Sequence, residues 1–98
     1  MIINRKKEQA TLVIAPVGRL DTSTSPELEN EIETSLSGIK KLVLDLKEVV
    51  YVSSAGLRVI LKAQKAMQSD GDMTVTGVNP SVMEVLDITG FSDILTIK

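Results

Sequence analysis

Val49-Val50-Tyr51-Val52-Ser53-Ser54-Ala55-Gly56-Leu57-Arg58-Val59-Ile60-Leu61 decides the fold. Four residues suited to a strand run into two serines, and the apolar side chains beyond them take helical spacing. A helix N-terminus leaves backbone N–H groups without intrahelical acceptors, and a serine there can satisfy them through its oxygen. The same groups attract an anion. Gly56, just inside the helix, has no side chain, so the first turn is bare and another backbone or a bulky ligand can approach.

Beyond the serines, at about 100° per residue, Gly56, Leu57, Val59, Ile60, Ala63, Ala66 and Met67 fall on one broad face. Ser54, Arg58, Lys62, Lys65 and Ser69 fall on the opposite arc, so Ser54 heads a basic, exposed stripe. Asp70-Gly71-Asp72 reads as a turn and Met73 to Val78 as a strand. Asn79-Pro80 opens a third helix as cap and first-turn residue; Val82, Val85, Leu86 and Thr89 face the core, and Gly90 stops it. Ile94 to Ile97 reads as a last, edge strand.

Upstream, Lys41 to Leu46 reads as a central strand. Before it, residues 2–7 form a weak strand, paired antiparallel through a turn at Glu8-Gln9 with Thr11 to Val17. The nearly continuous apolar character of Thr11 to Val17 predicts burial on both faces. Thr22-Ser23-Thr24-Ser25-Pro26 is a run of capping residues with proline at a first helical position. Leu28, Ile32 and Leu36 give that first helix its buried stripe, Glu27, Glu29, Glu31 and Glu33 make it acidic and read as a solvated face, and Gly38 ends it.

Strands alternating with helices predict an α/β fold: one domain over residues 1–98, with a mixed, mostly parallel sheet, an N-terminal antiparallel strand, three to four helices and right-handed crossovers. Sites in such sheets gather at the carboxyl ends of strands, where Ser53-Ser54 stands.

The 98 residues suffice for a single core, and 43% hydrophobic with 24% charged residues is a globular composition. The chain has no cysteine and no histidine, which removes disulfides, thiolate chemistry, imidazole bases and the usual zinc ligands. A net charge of −2 provides no general attraction to nucleic acid. Without a signal-like N-terminus or a membrane-length apolar run, the expected location is cytoplasmic, with no direct membrane insertion. There is no Gly-x-Ser-x-Gly elbow and no Walker-type loop, and Asp21, Asp45 and Glu48 are scattered, so no catalytic residue, metal site or cofactor is expected.

Ser53-Ser54-Ala55-Gly56-Leu57, taken with Gly18-Arg19-Leu20-Asp21, the Leu42-Val43-Leu44-Asp45-Leu46 strand, Asn79-Pro80 and Thr89-Gly90-Phe91, resembles the STAS domain of bacterial anti-sigma factor antagonists. The resemblance covers nearly the whole chain. It implies that Ser54, two residues before the glycine, is phosphorylated by a partner anti-sigma factor that is also a serine kinase. Many members carry Asp before that serine and Ser after it; here Ser53 and Ala55 stand there, which leaves Ser53 as the alternate acceptor. Asp21 matches an aspartate in the loop close to the functional serine.

On the residues alone, Ser54 and Ser53 read as helix caps, Asp21 as a turn former and Arg58 as part of a solvated face. With the resemblance, Asp21, Thr24, Ser53, Ser54, Gly56 and Arg58 form the expected partner-binding set, Arg58 standing one turn from Ser54. Met83 and Phe91 fit an interface or the core equally. The implied function is a partner switch. The unphosphorylated domain binds the anti-sigma factor kinase and frees a sigma factor, phosphorylation reverses this, and a PP2C-type phosphatase restores the active form. ATP and ADP are bound by the partner. The alternatives are a STAS-like accessory subunit docked on a membrane transporter through the same helix face, and a small nucleotide-binding domain.

Overall fold

The computed structural model describes residues 1–69 and 71–98. In chain order these form β1 (Ile2–Glu8), β2 (Thr11–Leu20), α1 (Ser25–Ser35), β3 (Lys41–Asp45), β4 (Val49–Val52), α2 (Ser54–Gln68), β5 (Asp72–Thr76), α3 (Pro80–Thr89) and a short 3₁₀ turn, Phe91–Asp93. The strands make one mixed sheet in the order β1-β2-β3-β5, with β4 paired to the far end of β2. Only β1 and β2 are antiparallel; β2 pairs in parallel with β3 and β4, and β3 with β5. Gln9, at positive φ (57°), makes the tight connection between β1 and β2.

Alternation along the strands puts Leu12, Ile14, Leu42, Leu44, Met73 and Val75 on one face, all 2% exposed or less, against Leu28 and Ile32 of α1 and Ile60, Ala63 and Met67 of α2. Thr11, Val13, Ala15 and Val17 on the other face are only half-buried, so β2 is not buried on both sides as its apolar run predicts. Parallel strands read as continuous apolar runs when helices cover both faces; here the cover over the second face is incomplete.

Helix boundaries follow their local chemistry. Pro26 stands in the first turn of α1. The Asn79 side chain accepts from the N–H of Val82 and also donates to the carbonyl of Val49 at 2.8 Å, tying β4 to α3. Gly90 ends α3 in the left-handed conformation, φ 81°. Gly38 does not itself end α1, which closes at Ser35 with Leu36 as its cap; the glycine turns the chain afterwards at φ 77°.

Three other expectations are corrected. Ile94 to Ile97 is not a strand: the 3₁₀ turn uses up the approach to the sheet edge, and a single parallel bridge from Val75 to Ile97 remains, with the N–H of Val75 donating to the carbonyl of Thr96 at 2.8 Å. Ala66 is exposed, on the edge of the buried arc of α2. Thr89 is exposed, its hydroxyl donating back to the carbonyl of Val85 at 2.8 Å. Of the expected turn at 70–72, Asp70 lies outside the described residues, and Asp72 already belongs to β5.

The glutamates of α1 are more than a solvated face. Glu27 meets the N-terminal ammonium at 3.2 Å, Glu31 meets Arg5 at 3.3 Å, and Glu29 and Glu33 grip Lys62 at 2.7 and 2.8 Å. They pin α1 to β1 on one side and to α2 on the other. The two hydrogen bonds, that to Glu29 first, hold the Lys62 ammonium well above the ordinary lysine range.

Candidate functional site

β4 enters the junction beside the end of β2, and the N–H of Ser53 donates to the carbonyl of Leu20 at 2.9 Å. This bond brings the loop that begins at Asp21 next to the start of α2. Ser53 takes the N-cap position with extended backbone (φ −91°, ψ 178°), and its carbonyl accepts from the N–H of Leu57 at 2.9 Å. Its side chain does not cap the helix: the Ser53 hydroxyl is buried and has no hydrogen-bond partner among the described residues. Ser54 is the first residue of α2, exposed, with its hydroxyl unbonded among the described residues. Neither serine therefore satisfies the first-turn N–H groups through its side-chain oxygen, contrary to the simple capping expectation.

Gly56 is buried. A β-carbon there would lie 2.8 Å from Leu20 Cγ, 2.9 Å from the Leu20 carbonyl oxygen and 3.0 Å from Val52 Cγ1. The backbone that the bare first turn admits is thus the chain's own β2, and Gly56 shapes the site from beneath.

The loop after β2 is organised by Asp21. Its Oδ1 accepts from the N–H of Ser23 at 3.1 Å, the Ser23 hydroxyl at 2.9 Å and the N–H of Thr24 at 3.2 Å. These bonds, the Ser23 hydroxyl foremost, hold the Asp21 carboxyl below the usual aspartate range. Thr24 stands at the N-cap of α1, but its hydroxyl is engaged within the loop, donating to the carbonyl of Arg19 at 2.6 Å and accepting from the N–H of Asp21 at 2.9 Å.

Two further residues belong to this corner. The β2–β4 pairing sets Arg19 opposite Tyr51, and the Arg19 guanidinium lies 4.3 Å from the centre of the Tyr51 ring. Its Nε is also 3.7 Å from Asp21 Oδ2. Both side chains are exposed, in an arrangement of aromatic ring and arginine suited to a protein contact. Sequence reasoning missed them because their pairing depends on a strand register that shifts between Gly18 and Arg19.

Arg58 is exposed, one turn along α2 from Ser54, and has no ion pair among the described residues. It lines an open groove of about 560 Å³ between α2 and the start of α1, together with Thr22, Ser25, Ala55, Lys62 and Lys65. Of the residues expected at the site, Ser53, Ser54 and Asp21 meet at the β2–β4 end of the sheet, Thr24 completes the Asp21 loop, Arg58 extends the surface along α2, and Gly56 lies underneath. Met83 and Phe91 are half-buried against the core. Among the described residues no group of three or more acidic side chains could hold a metal ion, and no helix is long and apolar enough to cross a membrane. The surface offers an exposed hydroxyl at Ser54, a fixed carboxylate at Asp21 and, at Arg58, a cation without an ion pair among the described residues.

Comparison with known proteins agrees with this architecture. The STAS domain family model matches residues 2–98. The anti-sigma F factor antagonist of Paenibacillus polymyxa is 32% identical over 98 residues, spanning 97% of this chain and 84% of the relative. Among solved structures, an anti-sigma factor antagonist from Mycobacterium paratuberculosis superposes with a TM-score of 0.89 at 21% identity, covering 98% of this chain and 83% of that one. The phosphorylated form of SpoIIAA, a Bacillus cell fate determinant, superposes with a TM-score of 0.77 at 15% identity, covering 99% and 91%. With the family model running along almost the entire chain, and its mixed sheet and helices shared with these structures, the protein belongs to the STAS domain family.

Proposed function

We propose that the protein is an anti-sigma factor antagonist that works by partner switching, with Ser54 as its phosphoacceptor. Unphosphorylated, it binds an anti-sigma factor kinase through the face built from Asp21, Thr24, Ser53, Ser54 and Arg58 and so frees a sigma factor. The kinase brings ATP and transfers its phosphoryl group to Ser54; a PP2C-type phosphatase removes it. The protein is substrate and binding module, and the catalysis belongs to its partners.

One observation carries this reading: Ser54 is an exposed hydroxyl, unbonded among the described residues, at the first position of a helix, while Ser53 beside it is buried at its oxygen. A kinase can reach the first without unfolding anything. The relatives' names support the antagonist role, and SpoIIAA supports a phosphorylated form on the same fold. Mass spectrometry of the protein recovered from its host tests the assignment. Phosphate on Ser54 is expected; phosphate confined to another residue, or none under any growth condition, would overturn it and leave static docking, as on a transporter complex, as the better reading.

A further inference from the structure

The exposed cations of α2 are not equivalent. Lys62 is outweighed by the two carboxylates of Glu29 and Glu33 of α1, whereas Arg58 and Lys65, about a turn away on either side, reach no carboxylate among the described residues. All three line the same groove, whose opposite wall is the start of α1. The groove therefore has two uncompensated positive poles, set about 10 Å apart along the helix by its rise per residue, on either side of a centre where two carboxylates, one of them the groove-lining Glu29, outweigh one ammonium. A second observation lies in that wall. Ser25 is 2% exposed, and its hydroxyl has no hydrogen-bond partner among the described residues. A buried polar group left unpaired is a standing cost that an incoming oxygen removes.

The rest of the lining favours a polymer segment over a bare ion. Pro26, Ala55 and Val59 supply apolar wall between the poles. The chain as a whole is negative, at −2, so attraction of an anion to this place is local and depends on matched spacing.

We propose that the groove between α1 and α2 seats an acidic segment of the protein partner, two of whose carboxylates, about 10 Å apart, pair with Arg58 and Lys65 while a polar group reaches the Ser25 hydroxyl. The inference rests on the reading of the Ser54 face as a protein-docking face and adds the chemistry that enters beside it. A helix meets the spacing with acidic residues about seven apart, an extended strand with residues about three apart. A phosphate on Ser54, one turn before Arg58, competes for the same guanidinium, which links modification to release.

Amide NMR titration of the full chain tests this with a blocked helical peptide carrying two glutamates seven positions apart, and with its glutamine counterpart. The glutamate peptide should give saturating shifts at Thr22, Ser25, Ala55 and Arg58. Arg58→Gln or Lys65→Gln should each weaken it about two- to fivefold, the worth of one exposed ion pair. Lys6→Gln on β1 should change nothing. No shifts at these amides, equal shifts with the glutamine peptide, or equally tight saturation by inorganic phosphate would overturn the inference, the last in favour of a small-anion site. The host's anti-sigma factor separates the two readings. If it fails to bind the chain while the peptide fills the groove, the functional reading falls and the groove stands; if it binds but is indifferent to Lys65→Gln, the groove falls and the functional reading stands.

Discussion

Ser54 is exposed in the first turn of α2, with no side-chain hydrogen bond to lose among the described residues, so truncating it should leave stability almost untouched. We expect Ser54→Ala to shift the unfolding free energy by no more than about 0.5 kcal/mol in denaturant melts, the range of ordinary surface substitutions. A loss above about 1 kcal/mol would mean that the hydroxyl caps the helix after all. Asp21 makes the opposite case, a carboxylate whose bonds shape a loop. Because folding lowers its pKa, its contribution is present above the unfolded value and lost as pH falls through the folded one. Acid titration followed at the amides of Ser23 and Thr24 should therefore show a midpoint below the ordinary aspartate value of about 3.9, and Asp21→Asn should abolish that transition. A midpoint at or above the ordinary value would remove the loop bonds from the account.

At the scale of elements, the approach of α2 to β2 sets where Ser54 stands, and Gly56 sets the approach. An alanine at this position must push against the Leu20 carbonyl oxygen, 2.9 Å from the added carbon. The overpacking cost, about 1–3 kcal/mol, outweighs the roughly 0.5–1 kcal/mol of helix propensity that alanine adds. Gly56→Ala should thus destabilise the fold and shift the amides of Leu20, Ser53 and Ser54 together; an unchanged melting midpoint with an unchanged spectrum would contradict the packing. Ile60→Ala, which empties a fully buried site under the same helix, should cost about 2–5 kcal/mol by cavity formation. Helix ends were legible in the sequence because Pro26, Asn79 and Gly90 act on their own few neighbours. That Gly56 admits another backbone was legible too, but that the backbone is Leu20 was not, since Leu20 belongs to another element. For the same cause the Arg19–Tyr51 contact and the pinning of α1 by its glutamates were invisible: each depends on strand register or on which helices become neighbours.

For the whole molecule, the alternation of strands and helices fixed the class of fold, with a parallel sheet and one antiparallel pair. Where it misled, at β2 and at residues 94–97, the apolar pattern was the same as that of a buried strand, and only the number of layers and the length of the 3₁₀ turn decided otherwise. The same architecture dictates how a switch at Ser54 would act. The serine is exposed on a helix tip above the buried core, so a phosphate adds about −1.5 to −2 charge at a place where the helix dipole tolerates it and no buried side chain is displaced. The partner bears the effect. A carboxylate of the partner within about 4 Å would be repelled by about 4 kcal/mol per unit charge at an effective dielectric near 20, up to about a thousandfold in affinity. On the proposed mechanism, Ser54 phosphorylation would release the partner by charge at the interface. Calorimetric titration of the host's anti-sigma factor with the unmodified chain and with the chain phosphorylated at Ser54 tests it most directly. Tight binding is expected of the first and a loss of affinity on the order of a hundredfold or more of the second; equal affinities for the two forms would rule out release by charge.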